Sequence, residues 1–144
     1  MAEFIMKDLV KKEGMDDRFE IASAAATTEE IGNGIYPPAL RALKEHGIGT
    51  ADNELGVSKK RARLITRKDY EYYDYLIGMD EENMRDMQWV FGKDPQGKLY
   101  SLMEFAGKHK EVADPWYTRN FDATWNDCLE GCSALLERLK KETC

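Results

Sequence analysis

From Ala2 to Glu13 the apolar residues Phe4, Ile5, Leu9 and Val10 recur at spacings of four and five, with Lys7, Asp8, Lys11 and Lys12 on the other side. That period predicts an amphipathic helix beginning at once at Met1 and stopped by Gly14. After a turn over Met15 to Arg18, the alternation Phe19, Ile21, Ser23 predicts a short strand running into the loop Ala24 to Pro38. Pro38 suits a first helical turn, with Leu40, Ala42 and Leu43 facing inward and Gly47 ending the helix. Gly49 to Arg61 is polar and reads as a surface loop, with Lys59, Lys60, Arg61 and Arg63 forming a basic cluster.

Thr66 with Asp69 has the form of an N-cap and an acidic first turn, predicting a helix over Arg67 to Tyr73. Tyr75 to Met79 reads as a buried strand, and Asp80 as the cap of a helix through Met87. Asp94-Pro95-Gln96-Gly97 is a turn by residue type. From Asp122 to Lys140, Trp125, Cys128, Leu129, Cys132, Leu135, Leu136 and Leu139 hold helical spacing for about five turns. Leu99 to Met103 and Glu111 to Ala113 are weaker strand candidates. Strands alternating with helices predict an α/β domain with a largely parallel sheet, although no segment is the long Val- and Ile-rich run of a central parallel strand.

Composition narrows the classes without disturbing this picture. The 144 residues carry 27 Asp and Glu against 21 Lys and Arg, a net charge of −6, with 42% hydrophobic and 33% charged residues. The size fits one domain over 1–144, since no repeat or linker divides it. Collagen-like, disordered and membrane-spanning classes drop out. Net acidity argues against nucleic acid as the main partner, because that binding is carried by surplus Lys and Arg. Three cysteines, Cys128, Cys132 and Cys144, cannot all pair within the chain, and the expected setting is reducing and cytoplasmic. No His or further Cys completes a metal set beside Cys128 and Cys132, so neither a metal nor another cofactor is expected.

Several segments together resemble the low-molecular-weight protein tyrosine phosphatases. They are Pro38 to Ile48 with its His46-Gly47-Ile48 ending, Ala62-Arg63-Leu64-Ile65 through Asp69, Asp74 and Met79-Asp80-Glu81-Glu82-Asn83, and Asp114-Pro115-Trp116-Tyr117 followed by the C-terminal helix. Ile21-Ala22-Ser23-Ala24 and Glu30-Ile31-Gly32-Asn33 add a further match. The resemblance covers nearly the whole chain in order. It implies a three-layer α/β/α domain with a mostly parallel, flavodoxin-like sheet of about four strands. It also implies hydrolysis of phosphotyrosine or small aryl phosphates through a phosphocysteine.

By residue type alone, Asp114-Pro115-Trp116-Tyr117 is a turn. The resemblance makes Asp114 the general acid and base, Trp116 and Tyr117 the walls that hold the phenyl ring, and Ser23 a support of the phosphate loop. That loop, Cys, five residues, Arg, is not found at the start of the chain. Met1-Ala2-Glu3-Phe4 matches the residues just past it, so the expectation is a chain lacking the first, central strand, the nucleophile and the phosphate-binding arginine, and therefore inactive as given. Where Lys60 stands, some family members carry a histidine.

Cys132 to Arg138 satisfies the bare spacing of Cys, five residues, Arg. A phosphate cradle needs converging N–H groups on non-helical backbone, whereas this segment lies within a helical apolar stripe, so a core cysteine is expected. The basic cluster at Lys59 to Arg63 reads as solvated surface, and His46 and His109 have no visible catalytic partner. Two rival functions remain open: a non-catalytic relative that binds a phosphoprotein or other partner, and an arsenate reductase on the same fold.

Overall fold

Two apolar stripes, one at each end of the chain, build the centre of the molecule. The computed structural model describes residues 1–25, 32, 34–92, 94, 96–113 and 120–143. Its elements run α1 (Ala2–Lys12), α2 (Pro37–Glu45), a 3-10 turn (Val57–Lys59), α3 (Arg67–Tyr72), β1 (Leu76–Gly78), α4 (Glu81–Phe91), β2 (Leu99–Ser101), a second 3-10 turn (Leu102–Ala106) and α5 (Phe121–Thr143). Phe4, Ile5, Met6 and Val10 of α1 pack against Trp125, Cys128, Cys132, Leu135 and Leu136 of α5, with Leu102 and Met103 closing the core.

β1 and β2 pair in parallel, with Leu76 opposite Leu99 and Gly78 opposite Ser101. Side chains alternate across a strand. Leu76 joins Tyr70 and Met87 beneath α3 and α4, while Ile77 and Met79 reach the α1–α5 core. Helices therefore cover both faces of the sheet, and the three-layer α/β arrangement expected from the sequence is present.

The strand count differs from the expected four. Among the described residues the sheet has two strands. Residues 19–23 form no ladder; two residues on, Ala25 makes a single parallel bridge to Leu64. Glu111 to Ala113 runs beside β1, its Val112 N–H donating to Met79 O at 2.9 Å. It forms no strand because its next backbone groups are taken by α5: Ala113 N–H donates to Asp127 Oδ2 at 3.0 Å and Ala113 O accepts from Thr124 Oγ1 at 2.6 Å. The predicted strand Leu99 to Met103 stops after Ser101, because Glu104 Oε1 accepts from Ser101 N–H at 2.5 Å and winds the chain into the 3-10 turn.

Other boundaries shift by local chemistry. α2 starts one residue early, with both prolines in its first turn. α4 runs one turn beyond Met87 to Phe91, capped by Asp80, whose Oδ1 accepts from Asn83 N–H at 2.7 Å. Thr66 is the N-cap of α3 as expected, and Asp69 in the first turn accepts from Thr66 N–H at 2.8 Å. The stretch Gly49 to Arg61 is not purely surface: Val57 is buried in the core, and Asn53 Nδ2 donates to Asp8 Oδ1 at 2.8 Å. Folding back over α1, this loop buries Asp8, which helical spacing alone had placed among the solvated lysines.

Candidate active site

The N-terminus of α1 opens onto a cleft of about 2040 Å³ that separates residues 19–25 from β1 and has α5 beneath it. At its edge stands Glu3, buried in the first turn of α1. Its Oε1 accepts from Ser23 Oγ at 2.6 Å and from Lys60 Nζ at 2.8 Å, and its Oε2 accepts from Lys7 Nζ at 2.7 Å. Lys60 Nζ also donates to Ser23 O at 2.9 Å, so the two chains of contact close on one another. Burial pulls the Glu3 carboxyl upward, but the bonds from Lys60, Lys7 and Ser23 outweigh it and hold the group below its ordinary value. Ser23 is thus fixed beside the start of α1, with its hydroxyl directed to Glu3.

Asp114, Trp116 and Tyr117 lie outside the described residues. Both flanks of that segment are anchored to α5. On one side Ala113 is held by Asp127 and Thr124; on the other, Asn120 caps α5, its Oδ1 accepting from Ala123 N–H at 3.1 Å. Asp127 also pairs with Lys110 at 2.7 Å. Burial raises its carboxyl, but the bonds from Lys110 and the Ala113 N–H together bring it below the ordinary value. Neither Asp127 nor Thr124 stands out in the sequence, where the only signal is a Thr and an Asp three apart in the first turns of a helix. We expect Asp127→Ala to free the Ala113 amide and cost about 1–2 kcal/mol. Hydrogen exchange at Ala113 should then quicken by about tenfold, and an unchanged rate would remove Asp127 from this anchoring role.

The apparent Cys-x5-Arg spacing at Cys132 is a helical accident. Cys132 is buried in α5, its Sγ directed to Ala2 O at 3.6 Å, and burial pushes its thiol up to about 12. Cys128, one turn earlier, is pushed up to about 11, again mainly by burial. Arg138 points elsewhere, its guanidinium 5.4 Å from the ring centre of Tyr100 and 5.3 Å from that of Phe105. A thiol so far above neutral pH holds almost no thiolate, which is the reactive form.

The basic cluster is largely spent within the chain. Lys60 serves Glu3, Arg61 donates to Lys60 O at 2.8 Å, and Arg63 grips both Asp69 oxygens at 3.0 and 3.1 Å. His46 caps α2 and stacks on Trp125 at 3.7 Å. Among the described residues no group of three or more His, Cys, Asp and Glu side chains is placed to hold a metal ion, and no helix is long and apolar enough to cross a membrane.

A three-layer α/β domain with a parallel sheet and a cleft at a helix N-terminus defines the structural class. The sequence profile of the low molecular weight phosphotyrosine protein phosphatases matches residues 1–144, and the chain belongs to that family. It is 34% identical over 146 residues to the low molecular weight phosphotyrosine protein phosphatase of Rattus norvegicus, covering 96% of this chain and 85% of the relative. Low molecular weight phosphotyrosine protein phosphatase 1 of Drosophila melanogaster is 31% identical over 147 residues, covering 98% and 89%. The crystal structure of YfkJ from Bacillus subtilis superposes with a TM-score of 0.89 at 27% identity, over 99% of this chain and 87% of that one.

Proposed function

We propose that this domain serves the hydrolysis of phosphotyrosine in proteins, or of small aryl phosphates, with Asp114 as the general acid and base, Trp116 and Tyr117 holding the phenyl ring, and Ser23 supporting the phosphate site. The family match over residues 1–144 is the observation that carries this reading. In the chemistry the family implies, a thiolate attacks phosphorus and the bond to the phenolate oxygen breaks while an aspartic acid protonates that oxygen. Water then attacks the phosphocysteine, giving its proton to the same carboxylate.

Among the described residues neither cysteine is placed to serve as that nucleophile. Cys128 and Cys132 are buried thiols far from ionising at neutral pH, and neither faces a phosphate-binding arginine. Their unpaired state accords with a cytoplasmic setting. We expect no turnover of para-nitrophenyl phosphate by this chain; turnover abolished by Cys132→Ser would overturn that expectation. A chimera carrying a strand and Cys-x5-Arg loop ahead of Met1 should hydrolyse the same substrate, and Asp114→Asn in that chimera should lower kcat by about 10²- to 10⁴-fold. A folded chimera without activity, but binding a phosphotyrosine peptide, would favour a non-catalytic phosphoprotein-binding role instead.

A further inference from the structure

Residues 49–58, which by composition are a polar surface loop, form one wall of a second concavity. It has a volume of about 420 Å³, within the range of small-molecule pockets, and α2 and residues 34–35 supply further walls. Among the described residues only Gly34 and Ile35 also border the larger cleft. The apolar side is made by Val57, which is buried, and by Ile35 and Leu40, which are half-buried and pack against the same core. That surface is enough to cover one ring or one branched chain.

Two cations border this apolar wall. Lys44 lies one turn after Leu40 on the same face of α2, and among the described residues its ammonium forms no ion pair. Arg61 comes from the end of the loop. Its Nη1 donates to Ser58 O at 3.2 Å and to Lys60 O at 2.8 Å, and it lies over Gly34, where a Cβ would stand 3.4 Å away. The guanidinium is thus held in place, while among the described residues no hydrogen bond takes its Nε or Nη2. The carboxylate that shares the pocket, Glu54, is turned to its own loop, its Oε1 accepting from Ser58 N–H. Two positive charges against one engaged negative charge is a local excess, in a chain whose net charge is −6.

A planar guanidinium with an open N–H edge matches a carboxylate, which accepts two parallel bonds from it, and a fixed guanidinium loses little freedom in making them. We infer that this pocket binds a small carboxylate carrying one apolar ring or branched chain. The carboxylate lies on Arg61 and Lys44, and the apolar part rests against Val57, Leu40 and Ile35. Nothing in this site depends on the phosphatase reading.

The test titrates the whole, isotope-labelled chain with 3-phenylpropionate and follows its amide resonances. Saturable shifts are expected at Gly34, Gly49 and Ser58, with a Kd of roughly 1–5 mM. The neutral amide of the same acid has nearly the same shape, and it should bind about tenfold more weakly or less. Arg61→Gln should weaken the carboxylate by about tenfold, and Lys44→Gln should weaken it by a smaller factor, with resonances away from the pocket unmoved in both variants. Equal binding of acid and amide would reduce the effect to apolar adhesion and overturn the proposal. Shifts gathered at Ser23 and Ile77 would place the carboxylate in the larger cleft and overturn it too. So would an unchanged Kd in both variants, or the absence of saturation at about 50 mM, ten times the weakest expected value.

Discussion

Glu3→Gln should destabilise the domain by about 2 kcal/mol at neutral pH, lowering Tm by roughly 6 °C. The substitution keeps the side chain's size and one acceptor oxygen, so packing is nearly unchanged. What it removes is the carboxylate that faces both Lys60 and Lys7, at 2.8 and 2.7 Å. The carboxylate is 5% exposed and the two lysines are 21% and 29% exposed. Their partial hydration keeps the cost below that of a fully buried pair.

The sign with pH follows from the direction of the shift. Glu3 is held below its ordinary value of 4.5 in the folded state. Its contribution is therefore fully present above about pH 4.5 and is lost as pH falls through the lower folded value. Urea unfolding of the native chain and of Glu3→Gln should differ most near pH 7 and converge toward pH 3. A difference that stayed constant across that range would mean the carboxylate's charge is not what matters.

The second large effect is expected at Gly131. A methyl group there would lie 2.5 Å from Leu102 Cγ and 3.0 Å from its Cδ2. Leu102 is almost wholly buried in the core between the second 3-10 turn and α5, so it has nowhere to retreat. Overpacking of this kind costs about 1–3 kcal/mol. Removing a glycine from a helix interior returns about 1 kcal/mol, so Gly131→Ala should still be a net loss and Gly131→Val a larger one. Leu102→Ala alone should cost about 2–5 kcal/mol. In the double variant the clash disappears, and the two losses should fall short of adding by 1 kcal/mol or more. Strict additivity in urea midpoints would show that the two residues do not collide.

Period and residue type carried most of the helices. The stripes of α1 and α5, the proline start of α2 and the Thr66–Asp69 cap are local features, set by neighbours within one or two turns. The strands were less legible. A strand's energy lies in its partner, so residues 19–23 carry a strand's alternation yet form no ladder, and Leu99 to Met103 divides where Glu104 captures the Ser101 amide. Cys132 and Arg138 show the same limit from the other side: their spacing imitates a phosphate loop, but helical backbone leaves no N–H group free to bind an anion.

The site divides along the same line. Ser23 and the Asp114-Pro115-Trp116-Tyr117 segment enter as candidates because they resemble a family pattern written in consecutive residues. Glu3, Lys60, Thr124 and Asp127 were not legible in this way, because each acts on a residue distant in the chain: Glu3 on Ser23 and Lys60, and Thr124 and Asp127 on Ala113.

The sequence by itself determined the helical stripes, the caps, the α/β class and the family. Tertiary structure alone decided that Asp8 and Glu3 are buried, that Lys60 closes on Glu3 rather than facing solvent, and that β1 pairs with β2. The physical reason is the range of the forces concerned. Periodicity and capping are settled within a turn of the chain, whereas burial of a charge and pairing of a strand edge depend on which distant segment folds against them.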